Sequence, residues 1–280
     1  MTARLPAYAE LHCISHFTFL RGASSPEELI ARAAELGYAA LAITDECSVA
    51  GVVRAHRAAL NHRVRLIIGS EFRLDDGLRL IVLPANRHGY ARLCTLITQA
   101  RRAAPKGRYC LRRDDLLDGL PDCRLIWLAG DDLRRTDAEW LWRLFPGRIW
   151  LALELNAEPD NQKKIDLYEE FSRNTSVPLL ASGDVHMHLR GRRALQDTLT
   201  AIRLGVTLKE AGARLHPNGE RYLKSRQRLA RLYPPELLAA TLELSSQLGF
   251  GLDQLTYRYP RELVPGDHTP ASWLRALTAK

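Results

Sequence analysis

The chain has 280 residues, 46% of them hydrophobic and 26% charged, with 40 Lys and Arg against 32 Asp and Glu for a formal charge of +8. This composition excludes a disordered tail, a collagen-like rod and a disulfide mini-protein. The length is enough for one large α/β domain or two modest ones with a sizeable core.

Short apolar runs alternate with helical patterns along the first two thirds of the chain. Strands are expected at Tyr8–Ile14, Ala39–Thr44, Val64–Phe72, Leu78–Leu83, Arg124–Ala129, Ile149–Leu155 and Val177–Ala181, each short and apolar as buried parallel strands are. Between the first two, Ser25 can cap a helix, Pro26 suits its first turn, Glu27 and Glu28 favour its dipole, and Gly37 marks its end. Leu29, Ile30, Ala33 and Leu36 form that helix's apolar face. About seven strand-then-helix units predict a β/α barrel over residues 1–190. Residues 191–256 read as a helical extension broken at His216–Gly219, with Leu195, Leu199, Leu204, Leu229 and Leu232 as its inner face. Residues 257–280 read as a Pro-rich linker followed by a helix opened by Thr269 and Pro270, the start of a region that continues in a longer parent chain.

Charge is concentrated in the helical extension. From Arg190 to Arg231 eleven basic residues stand against Asp197, Glu210 and Glu220, an excess equal to the net charge of the whole chain. Arg190, Arg192, Arg193, Arg203, Arg226 and Arg228 are the candidates for contact with DNA or with another domain, through phosphates and without base readout. A second basic run, Arg101 to Arg113, reads as a surface loop. Five scattered cysteines (Cys13, Cys47, Cys94, Cys110, Cys123) with no C-x-x-C pair point to a reducing compartment. No stretch of about 18 apolar residues and no apolar leader core is present, so a cytoplasmic chain with no membrane partner is expected.

The informative polar residues fall at strand ends. His12 lies near the end of the first strand, Asp45 and Glu46 follow the second, and Glu71 closes the third. Asp131 and Asp132 follow the fifth, while Asp184 and His186 follow the seventh. In β/α barrels these ends meet on one face. Carboxylates and imidazoles gathered there are the ligand types of a divalent ion, and their mutual repulsion requires a cation among them, a metal or a basic side chain. The other seven histidines (His16, His56, His62, His88, His188, His216, His268) read as structural or solvent-exposed.

The segments YAELHCISHFTFLRGAS, LAITDECSVAGV, IIGSEF, LLASGDVHMH and GERYLKS, in this order and spacing, resemble the N-terminal PHP domain (polymerase and histidinol phosphatase) of C-family bacterial DNA polymerases. Among these the likeness is to the error-prone branch related to the alpha subunit of DNA polymerase III. It runs from about Tyr8 to the end of the chain. The resemblance implies a seven-stranded distorted barrel and a parent enzyme that is a DNA-directed DNA polymerase of translesion synthesis and DNA repair. It also implies Mg ions in a polymerase palm beyond this chain. The implied partners are the remaining polymerase domains, DNA, a sliding clamp and accessory mutagenesis proteins.

Hydrolytic members of the family bind up to three divalent ions and cleave phosphoesters. Position by position, His12 keeps the first histidine of their H-x-H, but Ile14 stands at the second. Asp45-Glu46 replaces an Asp-His pair, Glu71 and Asp184-Val185-His186 match, Asp131 stands where a Cys is usual, and Arg79 replaces a histidine. The resemblance thus implies a partial or vestigial metal site (His12, Asp45, Glu46, Glu71, Asp131, Asp184, His186) with Arg79 as a substitute cation. It would hold one or two divalent ions (Mn, Zn, Mg or Fe) or none. The expectation is a structural scaffold. The alternatives are a metal-dependent phosphoesterase or 3′-5′ exonuclease acting on DNA, a small-molecule phosphatase of histidinol-phosphate type, and a DNA-binding module built on the Arg-rich stretch.

Overall fold

The structure is a computed structural model that describes residues 5–157, 159–256 and 264–279. Its elements in chain order are β1 (Ala9–Glu10), α1 (Pro26–Glu35), β2 (Ala40–Ile43), α2 (Val52–His62), β3 (Arg65–Ile68), β4 (Ser70–Arg73), β5 (Arg79–Pro84) and α3 (Arg87–Arg102). There follow β6 (Cys123–Trp127), α4 (Arg135–Leu144), β7 (Ile149–Glu154), α5 (Asn161–Thr175), β8 (Leu179–Ser182), α6 (Arg193–Leu204), α7 (Leu208–Ala211), α8 (Arg226–Leu232), α9 (Pro235–Ser246) and α10 (Pro270–Thr278).

The strands form two sheets, not one closed ring. β1, β2 and β3 are parallel, and a second sheet runs β4-β5-β6-β7-β8. Its first two pairs are antiparallel and its last two parallel, which corrects the expectation of parallel strands throughout. The expected strand Val64–Phe72 breaks in two at Gly69. A Cβ there would stand 2.5 Å from Leu83 Cδ2, so only glycine permits this close approach. The expected strand Tyr8–Ile14 shortens to two residues, then resumes as a lone bridge from Cys13 to Val185. That bridge and a second one from Glu46 to Glu71 link the sheets at the strand ends.

One face of the strands is shared. Ala9, Leu11, Ala42, Ile67, Ile81, Leu83, Ile126, Trp150 and Leu180 pack into a single buried cluster with Leu244 and Leu248. Helix α9 therefore plugs one end of the strand array, and the Ala9 N–H donates to Thr241 Oγ1 on it (3.2 Å). The opposite faces pack against α1 to α5. Helix α1 begins as its sequence predicts: Ser25 Oγ accepts from the Glu28 N–H (3.2 Å), and the Ser25 N–H donates back to Glu28 Oε2 (2.9 Å). Leu29, Ile30 and Ala33 are buried beneath it.

Helix α6 is turned from its expected orientation. Its buried residues are Gln196, Thr200 and Ala201, while of the expected inner face Leu195 is 40% exposed and Leu199 and Leu204 are half-buried; Ile202 is 58% exposed. Gln196 turns inward because it has a partner there, described below. Leu229, by contrast, is buried as expected. Part of the expected linker, residues 257–263, lies outside the described residues. Helix α10 follows its Thr269 cap, with Leu274 and Leu277 exposed. All five cysteines are free thiols. Among the described residues no helix is long and apolar enough to cross a membrane.

Candidate functional site

The strand ends converge on a cleft of about 310 Å³ lined by Arg21, Glu46, Glu71, Arg73, Arg79, Asp184, His186, Thr200, Arg203, His216 and Arg221. At its floor His12 is fully buried. Its Nδ1 is 2.9 Å from Glu154 Oε1, and its Nε2 is 3.2 Å from Glu71 Oε2. Ionised carboxylates only accept, so a ring bonded to one at each nitrogen is the doubly protonated imidazolium. Burial acts to lower the pKa of His12, but the bonds to Glu154 and Glu71 and the charge of Asp184 outweigh it and carry the value up to about 10.

Glu71, 1% exposed, sits among three cations. Arg79 donates to its Oε1 (2.9 Å) and Arg21 reaches both oxygens (3.4 Å), with His12 behind. Burial opposes ionisation of Glu71, yet Arg21, His12 and Arg79 hold its carboxyl well below the ordinary carboxylate range. Arg21 also bonds Glu46, whose other oxygen accepts from Tyr109 Oη (2.8 Å).

Asp184 accepts from Arg221 Nε (2.6 Å) and lies 3.0 Å from His186 Nε2. Burial opposes its ionisation, but the His186 N–H and the Arg221 guanidinium hold it low. Its φ of 43° is left-handed, a conformation costly for a non-glycine residue, and here it aims the carboxylate inward. His186 is fixed from behind: the Gln196 amide donates to its Nδ1 (2.8 Å), leaving Nε2–H for Asp184. Burial lowers the pKa of His186, consistent with a neutral ring. His216 packs edge-on to it at 5.4 Å between centroids, and burial together with Arg221 pushes it down to about 3.

Asp45 does another job. It accepts from the Ser15 N–H (2.7 Å), Ser15 Oγ (2.8 Å) and Thr18 Oγ1 (2.8 Å), and so shapes the loop after β1. Burial raises its pKa against those bonds. Asp131 lies outside the cluster: its side chain is 98% exposed and 3.5 Å from Lys164 Nζ. Gly130, with φ 62°, turns the chain outward just before it. Asp132 pairs with Arg134 at 3.0 Å.

Of the residues expected at the site, His12, Glu46, Glu71, Arg79, Asp184 and His186 come together, with Asp45 adjoining. Arg21, Glu154, Arg221, Gln196 and His216 complete the cluster. Glu154 ends β7 and obeys the same strand-end rule as the others, so that rule is sufficient to find it. The two arginines sit in irregular segments that carry no periodic signal. Among the described residues, His12, Glu154 and Asp184 bring ligand-type atoms within 4.8 Å of one another.

Most of the Arg-rich stretch is engaged inside the fold. Arg192 bonds Glu28, Arg228 donates to Glu220 (2.8 Å), and Arg190 lies 3.6 Å from the same carboxylate. Arg193 is 3.5 Å from Asp197, and Arg226 donates to the Leu36 carbonyl (3.1 Å). Arg203 lines the cleft.

Comparison with known proteins gives a consistent picture. The chain is 55% identical over 281 aligned residues to the error-prone DNA polymerase of Dechloromonas aromatica, an alignment that takes in 99% of this chain and 27% of that protein. It is 54% identical to the error-prone DNA polymerase of Pseudomonas aeruginosa, across 98% of this chain and 27% of the relative. The chain therefore spans about a quarter of the length of these relatives. Among solved structures, a two-domain protein from Bacteroides vulgatus containing a predicted PHP-like metal-dependent phosphoesterase aligns with a TM-score of 0.44 at 14% identity, covering 88% of this chain and 72% of that one. The PHP domain family model matches residues 10–169, from the end of β1 into α5, which takes in β2 to β7 and five of the eleven residues lining the cleft; the chain belongs to the PHP domain family.

Proposed function

We propose that this chain is the N-terminal part of an error-prone, DNA-directed DNA polymerase, and that its cleft is a structural scaffold in which arginines take the place of metal ions. The observation that carries this reading is the placement of Glu71, a buried carboxylate held by Arg21, Arg79 and His12. The donor set as arranged does not fit two or three divalent ions. Both nitrogens of His12 and both of His186 already have partners, and Glu71 and Asp184 are each paired with a guanidinium. Guanidiniums stay charged at any working pH and make charge-assisted bonds to carboxylates. They thus keep the acidic strand ends together without a metal.

On this reading the polymerase chemistry, with its Mg ions, belongs to the part of the relatives that this chain does not span. The partners assigned are the other polymerase domains, DNA, a sliding clamp and accessory mutagenesis proteins. Metal analysis of the purified protein tests the scaffold, with less than one Mn, Zn or Fe ion expected per chain. Two or more tightly bound ions per chain would refute it.

The approach of His12, Glu154 and Asp184 supports a second reading, a single-ion phosphoesterase or 3′-5′ exonuclease. Digestion of single-stranded DNA that requires added Mn and disappears in Asp184→Ala would establish it. Absence of digestion with every divalent ion tried would remove it.

A further inference from the structure

Two features near the cleft have no part in its ion pairs: the exposed ring of Phe19 and the basic segment after α3. Phe19 is 83% exposed, but its loop is tied down. Thr18 Oγ1 donates to Asp45 (2.8 Å) and accepts from the Glu46 N–H (3.0 Å), the Gly22 N–H donates to the Thr18 carbonyl (3.1 Å), and Arg21 is bonded to Glu46. Leu20, next to Phe19, has a left-handed φ of 59°, unfavourable for leucine. A pinned loop with a strained neighbour thus holds an aromatic ring in water, which contributes nothing to the core.

Beside Phe19 runs a groove of about 370 Å³, walled by Phe17, Phe19, Arg101, Arg108 and Tyr109 and sharing Glu46 with the arginine-lined cleft. Tyr109 is the partition between the two. Its hydroxyl donates to Glu46 and accepts from the N–H of Arg73, whose side chain lines the cleft. Residues 101–113 carry six basic side chains and no acid. Arg112 and Arg113 are paired with Asp75, Asp76 and Asp137. Arg102, Lys106 and Arg108 are exposed and make no ion pair among the described residues.

An acidic peptide would satisfy the cations but makes no use of the exposed ring of Phe19. A duplex has its bases already stacked. Single-stranded nucleic acid matches both features, since its bases need a stacking surface and its phosphates need cations. We propose that this groove is a sequence-independent track for single-stranded nucleic acid. A base stacks on Phe19, phosphates meet Arg108 and Lys106, and the strand runs toward the cleft rim at Arg73. The inference holds whether or not the cleft takes a metal.

Fluorescence anisotropy with a labelled oligothymidine and the 280-residue chain tests it. Phe19→Ala is expected to weaken binding about tenfold and Phe19→Trp to preserve it. Arg108→Glu is expected to weaken binding and to flatten the dependence of log K on log salt by about 0.7. A blunt duplex should bind more weakly than the single strand. Because both side chains are exposed, unchanged thermal unfolding is expected to accompany these losses. Native-like oligonucleotide affinity in Phe19→Ala and Arg108→Glu overturns the proposal. If those variants instead release a polymerase fragment supplied in trans, the groove is a protein-docking surface.

Discussion

Arg21→Met tests whether arginines hold the cleft together. The substitution keeps most of the apolar stem but removes the charge between Glu46 and Glu71. Glu71 is 1% exposed and cannot recover its hydration. Breaking a buried pair by removing one partner costs about 3–5 kcal/mol. Arg79 and His12 still face Glu71, so the lower figure, about 3 kcal/mol, is expected. An unfolding entropy of roughly 2.1 cal/mol/K per residue amounts to about 590 cal/mol/K for a chain of this length, so the melting temperature should fall by about 5 °C.

Glu71→Gln should cost a similar amount, because it leaves Arg21, Arg79 and His12 around a neutral amide. The double variant should be less damaged than the sum of the two, by about 1.5–2 kcal/mol, since either single change already forfeits the shared interaction. Thermal or urea unfolding of the four proteins, with and without EDTA, is the assay. Additivity within about 0.5 kcal/mol would refute the coupling. So would an EDTA-induced drop of about 5 °C in the parent protein that Arg21→Met does not show, because the stabilising cation would then be a metal.

Two further expectations follow from the same geometry. Leu195→Ser and Ile202→Ser should each change stability by no more than about 0.5 kcal/mol, as exposed sites do, whereas Gln196→Leu should cost about 1–3 kcal/mol by leaving His186 Nδ1 buried and unbonded; urea unfolding distinguishes the two sides of α6. Lys224 is buried, and that burial, against the pull of Glu220 and Glu10, lowers its pKa from 10.5 to about 8. The unfolded chain therefore binds this proton more readily, so the penalty for charging Lys224 in the fold is fully present below pH 8 and is relieved as pH rises to 10.5. The stability of the parent relative to Lys224→Met should rise by about 3 kcal/mol across that window, and a flat difference between pH 8 and 10.5 would contradict the assignment.

Local chemistry carried much of this structure into the sequence. Ser25, Pro26 and Glu28 specify the start of α1 without help from the rest of the fold. His12, Glu71, Asp184 and His186 were legible because they follow strands whose ends converge on one face. Arg79 as a cation among the acids was implied only by the family resemblance, and it bonds Glu71. The failures have physical causes. Asp131 follows a strand as Asp184 does, but the left-handed Gly130 swings it into solvent. Gln196 of α6 is buried because His186 supplies its partner, and Thr200 beside it because its hydroxyl bonds back to the Gln196 carbonyl, which an amphipathicity argument cannot anticipate. Glu154 ends β7 and was within reach of the same strand-end rule, whereas Arg21 and Arg221 lie in loops whose positions only tertiary contacts determine.

The charge excess of the helical extension has a different meaning once its partners are known. Arg190, Arg192 and Arg228 face Glu220 and Glu28, Arg221 faces Asp184, and Arg226 caps the carbonyl end of α1. These cations fasten helices to the strand array, and a counter-charge within a few ångströms leaves them little far field. The compensation is incomplete, since Arg203, Lys209, Arg214 and Arg231 of the same stretch are exposed and make no ion pair among the described residues. The cleft presents five arginines against Glu46, Glu71 and Asp184, and Arg73, Arg102, Lys106, Arg108 and Arg203 make no ion pair among the described residues. A divalent ion entering the cleft meets more guanidiniums than carboxylates, whereas a phosphate chain meets exposed cations at Arg102, Lys106 and Arg108 that have no acid to displace. Most of the paired cations in the stretch that dominates the net charge therefore serve the fold, and the smaller basic run after α3 adds Arg102, Lys106 and Arg108 to the exposed, unpaired ones.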